Sequence, residues 1–300
     1  MRDPLKLGAA YRAAANGCAA MLSEAEWAER LFVAVSRRCW NVPAAGRFIR
    51  SVAYRLADRL FANGTGVRDV VLAGVPLRLD VGHWTTREYY FADAMYEQMT
   101  VRHLASLLRT GDVFVDAGAN NGYFTLIAAG MVGAGGRVLA FEPNPAVRQR
   151  LVQNVRRNCF DDRVEIASCA LSDRNAEGVP LFVPTWDGLA TLVPDRTHEA
   201  SAVAGAPTID VATRTFDDFL AASSIERVTL MKIDVEGAEM EVLAGMRASL
   251  ASGRVRHVIL ETAVDRPAHR LLLDLGFRAT HLESVGPVDN IAYAFGGSAA

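Results

Sequence analysis

One stretch restricts this chain more than any other: Val113-Phe114-Val115-Asp116-Ala117-Gly118-Ala119-Asn120-Asn121-Gly122-Tyr123-Phe124-Thr125, followed by Phe141-Glu142-Pro143-Asn144-Pro145. It reads as a buried strand, a glycine turn, a helix and a second strand that ends in an acid. Such a unit belongs to a parallel sheet covered by helices, where ligands sit outside the carboxyl ends of the strands. Gly118 and Gly122 remove side chains where the backbone must turn and approach a ligand. Glu142 lies 24 residues beyond Gly118, at the end of Arg137-Val138-Leu139-Ala140-Phe141. A carboxylate there can accept two hydrogen bonds from a ribose diol, so the unit points to a nucleoside.

The glycine spacing bears on which nucleoside. A dinucleotide fingerprint G-x-G-x-x-G requires glycine at 120 and 123, where this chain has Asn120 and Tyr123. Asp116 at a strand end suits a cationic ligand end instead, such as the amino group of S-adenosylmethionine. A second block, Val228 to Glu239, reads as a strand ending at Asp234 and a helix from about Glu236 to Leu250. A further strand, Val255 to Leu260, ends in Glu261. Asp116, Glu142, Asp234 and Glu261 are thereby expected at one edge of one sheet.

The order GDVFVDAGANNGYFTL, GRVLAFEPNP, TFDDF, MKIDVEGAEMEVLAGM and VILE resembles the FkbM-type family of S-adenosylmethionine-dependent methyltransferases, over roughly residues 95 to 283. The resemblance implies a class I methyltransferase fold and methylation of a hydroxyl on a sugar, glycoside or natural product. It implies that Asp116, Gly118, Asn120 and Glu142 hold the cofactor, with the Asp234-Val235-Glu236-Gly237 turn facing the reacting centre. Asn121, Tyr123 and Asn144 join the expected cofactor contacts.

Methyl transfer to oxygen needs alignment and a group that takes the acceptor proton. Asp234 is the first candidate base, with Glu236 and Glu239 behind it; Glu239 also reads as an acid in the first turn of the following helix. Asp234 with Glu261 forms a candidate Mg2+ site, since a hard cation takes oxygen ligands. Arginine outnumbers lysine by 30 to 2, so Lys232 inside the strand of Asp234 is exceptional. A compact ammonium fits where a guanidinium does not, and Lys232 is expected to pair with Asp234 or Asp116. His83 and His198 are further candidates near the acceptor.

The whole chain is read as α/β: a Rossmann-like sheet, mostly parallel with an antiparallel closing strand, plus an N-terminal helical segment. Residues 1–66 are expected as a helical cap and 67–300 as the methyltransferase domain, with an insertion or lid at about 173–213 whose flanks, Val179 to Val183 and Ile209 to Thr213, pair as strands. Val70 to Leu79 reads as a hairpin and Tyr89 to Leu108 as a helix. Three hundred residues with 51% hydrophobic content suffice for such a domain and an appended segment. A net charge of -2 gives no general case for nucleic acid, and the asparagine- or aspartate-proline-proline-aromatic signature of amino methyltransferases is missing. Four cysteines without metal spacing, no apolar run of about 20 residues and no signal-peptide pattern read as cytoplasmic. Seven arginines between Ala28 and Ala62 face two acids, which reads as a solvated basic face. A small-molecule or glycan acceptor is the expected partner, and homo-oligomerisation stays open. Two alternatives from other classes remain at this stage: a nicotinamide oxidoreductase and a non-catalytic module that retains the methyl donor.

Overall fold

The computed structural model describes residues 24–296 apart from 41, 43–44, 62–65, 73–74, 82–85, 88–89, 92–96, 185–188, 198–199 and 286–287. His83 and His198, and the part of the expected cap that precedes residue 24, lie outside the described residues.

The chain forms two compact units, Met1–Gln98 and Met99–Ala300. In the first, helices α1 (Glu24–Cys39) and α2 (Ala45–Phe61) precede the antiparallel hairpin β1 (Val67–Leu72) and β2 (Val75–Asp80). The division at Gln98 differs from the expected boundary at residue 66. The hairpin strands pair only with each other, and Arg68 of β1 is held by Glu29 of α1 through both guanidinium donors, at 2.8 and 3.0 Å, with the Tyr90 hydroxyl donating to the same carboxylate. These partners anchor the hairpin to α1 within its own unit.

Helix α3 (Gln98–Leu107), which enters the second unit at Met99, is shorter than the expected Tyr89–Leu108 helix. Its sheet has seven strands in the order β11-β12-β10-β9-β3-β4-β5: β3 (Val113–Ala117), β4 (Arg137–Phe141), β5 (Val164–Ala167), β9 (Val228–Ile233), β10 (Val255–Thr262), β11 (Phe277–Val285) and β12 (Val288–Phe295). Strands β3, β4, β5, β9 and β10 run parallel, while β12 lies antiparallel to β10 and β11 antiparallel to β12. Strand order reverses between β3 and β9, and the carboxyl ends at such a switch point open a crevice. The expected Rossmann-like class, with its closing strands, is the class observed.

The central strands are nearly all apolar because both faces are covered. Helix α4 (Tyr123–Val132), which follows β3, is apolar around its whole circumference and is buried accordingly. Helix α5 (Pro145–Arg157) starts on Asn144, whose side chain accepts from the Ala146 N–H at 3.1 Å, with proline in its first turn. A smaller sheet holds β6 (Cys169–Leu171), β7 (Ala176–Phe182) and β8 (Thr208–Arg214), the last two antiparallel as the expected lid flanks require.

The single helix expected from Glu236 to Leu250 is broken. Glu236 and Gly237 take positive φ (54° and 99°), so helix begins only at Glu239 and runs to Ala244, resuming at Arg247–Ala251. The interruption falls at Gly245, where a Cβ would lie 1.9 Å from the Ser172 carbonyl oxygen. Close approach of the segment that follows β6, at Ser172 and Asp173, occupies the space a side chain would need.

Candidate active site

The turn after β3 is built by contacts across the switch point. Gly118 has φ +83°, and a Cβ on it would sit 1.8 Å from the Asp234 carbonyl oxygen, so the β3 and β9 ends meet through backbone alone. Asn120 takes φ 49°, a left-handed conformation that asparagine tolerates. Its backbone N–H donates to Glu142 Oε2 at 3.0 Å, while the Asn144 N–H donates to Oε1 at 2.9 Å. Two amides thereby fix the carboxylate of Glu142 at the end of β4. This glycine cradle and the oriented acid beside it fit a nucleoside whose ribose hydroxyls donate to a carboxylate.

Asp116 lies within β3, buried, and accepts from the Thr125 hydroxyl at 2.6 Å. Burial pushes its carboxyl up, against the opposing pull of Lys232 and Thr125. Lys232 stands opposite Asp116 in the parallel register. Its side chain is 2% exposed, its Nζ pairs with Asp234 Oδ2 at 2.7 Å, and the ammonium lies 4.5 Å from the centre of the Phe124 ring. Both partners expected for the exceptional lysine adjoin it, and the ion pair is with Asp234.

Asp234, Glu236 and Glu261 form one cluster, each bringing a carboxylate oxygen within 4.8 Å of the others. Glu261 lies inside β10, one position short of its end. Burial, the charge on Asp234 and a hydrogen bond to it push the Glu261 carboxyl well above the usual carboxylate range. Burial and the charges on Asp234 and Glu239 do the same to Glu236, opposed by Lys232 and a hydrogen bond from Thr197. Glu239 is also raised, chiefly by burial, and accepts the Gly237 N–H at 2.9 Å, so it closes the first turn of its helix as well as lining the cleft. Raised carboxyl pKa values favour the folded state below the unfolded value and penalise it as pH rises through the folded one. Glu261→Gln is therefore expected to melt higher than wild type at pH 8 and to converge with it near pH 4, each kcal/mol relieved raising Tm by about 2–4 °C. Equal melting temperatures at pH 8 would show that Glu261 carries no such burden.

The lid expectation gains contacts here. Thr191 donates to the Glu236 carbonyl at 2.7 Å, Thr197 reaches the Glu236 side chain, and Arg196 pairs with Glu241. Residues 191–197 thus lie against the acid cluster. Sequence reading missed Arg196, Thr197, Thr125 and Phe124; only Thr125 and Phe124, inside the glycine-turn motif, carried a signal. Two expected cofactor contacts also make contacts within the protein. Asn121 is buried and accepts from Arg150 Nε at 2.9 Å, facing α5, and the Asn144 side chain caps α5. Tyr123 is buried edge-on against Phe124 at the start of α4.

The family model described as the methyltransferase FkbM domain matches residues 116–279, from Asp116 through the cluster. The chain belongs to the FkbM methyltransferase family. This methyltransferase is 31% identical over 218 residues to methyltransferase sdnD of Sordaria araneosa, covering 63% of this chain and 83% of that protein. It is 31% identical over 177 residues to the hexuronic acid methyltransferase AglP of Haloferax volcanii (56% and 63% covered) and 30% over 164 residues to the 2-O-methyltransferase NoeI of Sinorhizobium fredii (51% and 65%). The family assigns S-adenosylmethionine as methyl donor and favours neither the nicotinamide oxidoreductase nor the non-catalytic module. No helix among the described residues is long and apolar enough to cross a membrane.

Proposed function

We propose that this enzyme transfers the methyl group of S-adenosylmethionine to a hydroxyl oxygen of a sugar, glycoside or natural product, working in the cytoplasm. The observation that carries the reading is the ion-paired Asp234 inside a carboxyl cluster at the switch-point edge, bordering a cleft floored by Glu236 and Glu261. Glu142 and the Gly118 turn hold the nucleoside, and the donor supplies a methyl on a sulfonium. An acceptor hydroxyl in the cleft gives its proton to Asp234 as its oxygen forms the new bond to carbon and the bond from carbon to sulfur breaks. The ammonium of Lys232 beside Asp234 favours the charged, proton-accepting form of that carboxyl, while burial and the charge on Asp234 push Glu236 and Glu261 toward the neutral form.

A second reading of the same residues is a Mg2+ ion held by Asp234, Glu236 and Glu261. Three carboxylate oxygens this close are the donor set of a hard cation, which would acidify the acceptor hydroxyl. Transfer of labelled methyl to a panel of glycosides and hydroxylated metabolites, with EDTA or with Mg2+, tests both. The expected product is a base-stable methyl ether, formed equally with EDTA. A base-labile ester or a methylated amine would overturn the hydroxyl assignment, and activity abolished by EDTA and restored by Mg2+ would select the metal.

A further inference from the structure

The loop that carries Glu142 has few backbone donors of its own. Strand β4 ends at Phe141, and although the Glu142 N–H still reaches the Ala167 carbonyl at 3.1 Å, Pro143 and Pro145 carry no N–H. Arg148, three residues into α5, supplies what they lack. Its backbone N–H donates to the Asn144 carbonyl at 2.8 Å, as the helix requires, while its half-buried guanidinium turns back along the loop. There one nitrogen, Nη1, donates to the Glu142 carbonyl at 2.9 Å and to the Pro143 carbonyl at 2.8 Å. The same helix reaches the glycine turn after β3. Fully buried Asn154 donates through Nδ2 to the Asn121 carbonyl at 2.8 Å, and Arg150 Nε donates to Asn121 Oδ1 at 2.9 Å. The bond from the Asn120 N–H to Glu142 Oε2 joins the two loops. A closed circuit thus runs from α5 through Asn121 and Asn120, across the Glu142 carboxylate and back to α5 through Arg148.

We propose that Arg148 is a positioning residue for the methyl donor, holding the Glu142 carboxylate where the ribose is bound; this rests on the Glu142–nucleoside contact proposed above. The carbonyl that Arg148 grips belongs to the residue whose side chain meets the ribose. Fixing it together with the Pro143 carbonyl also sets the Asn144 N–H that donates to Glu142 Oε1, so the carboxylate enters binding in one orientation. Without Arg148, the loop and the side chain must be ordered when the nucleoside arrives, and that ordering weakens affinity. An arginine that served the fold alone would behave differently. Its loss would weaken the donor by the same factor whether or not Glu142 were present.

The test is a double-mutant cycle on the full chain with S-adenosylhomocysteine as probe: wild type, Arg148→Met, Glu142→Ala and the double variant. Calorimetry gives the affinities, with the rise in Tm at millimolar ligand for the weakest binders, and melts without ligand verify folding. Arg148→Met is expected to bind about three- to tenfold more weakly than wild type. In the Glu142→Ala background the same substitution should change affinity by less than about twofold, because the group through which Arg148 acts is gone. Arg148→Gln, whose shorter amide falls short of the two carbonyls, runs through the same cycle with the same expected result. Wild-type affinity in the folded Arg148 variants, or equal losses in both backgrounds, would overturn the inference and leave Glu142 on the ribose. Wild-type affinity in a folded Glu142→Ala would overturn the ribose contact itself, and the role of Arg148 with it.

Discussion

Glu142→Ala is expected to weaken binding of S-adenosylmethionine and S-adenosylhomocysteine by about 10²–10³-fold, the equivalent of two hydrogen bonds to a charged acceptor. The size of the effect follows from how the side chain is held. Glu142 is 7% exposed and each of its oxygens already accepts a backbone N–H, from Asn120 at one and Asn144 at the other. Those bonds remove the rotamer freedom that would otherwise be lost on binding, so the lone pairs left over meet the ribose hydroxyls in a prepared orientation. Alanine loses the ribose contacts and also leaves the two amides without their acceptor. Glutamine is a poor substitute, because its NH2 group would face one of two N–H donors. Calorimetry on wild type, Glu142→Ala and Glu142→Gln, with thermal melts to confirm folding, measures this. A folded alanine variant that binds within threefold of wild type would remove Glu142 from the ribose.

The legibility of this site in the sequence divides along physical lines. Strand ends and the acids on them were readable because local patterns set them: apolar runs of five or six residues, a glycine turn, and the spacing from Gly118 to Glu142. Contacts made over long sequence distances were not. The break at Gly245 depends on Ser172, and Arg196 and Thr197 reach the cluster from a loop some 40 residues earlier. Asn144 carries two signals at once, since asparagine before proline is a helix cap signal as much as a ligand signal, and its side chain forms the cap. The hairpin at 67–80 carried no mark of which unit would hold it; the deciding contact, Glu29 with Arg68, joins segments 39 residues apart. Lys232 was legible through composition alone, because only one other lysine exists in the chain.

Asp234→Asn is expected to lower kcat by about 10²–10⁴-fold, the range of a general base, while leaving affinity for S-adenosylhomocysteine near that of wild type. The asparagine keeps the shape and a contact to Lys232 but cannot take the acceptor proton. Lys232→Met removes the other half of the pair and separates two roles. Stability should fall by about 3 kcal/mol, the low end for breaking a buried pair, since the Asp234 side chain is 27% exposed and partly screened by solvent. Lys232 also lowers the proton affinity of both Glu236 and Glu261, so its loss leaves the cluster holding protons more tightly. The acidic limb of the pH–rate profile should consequently move to higher pH in Lys232→Met, and activity lost at pH 7 should partly return at pH 9. Lys232→Arg is not expected to rescue it, because the ammonium sits under the Phe124 ring with 2% exposure, where a planar guanidinium must displace its neighbours. A Lys232→Met enzyme whose profile is unmoved, together with an Asp234→Asn enzyme of ordinary kcat, would mean that the pair only braces the β9 end, and that the proton leaves through another group of the cleft.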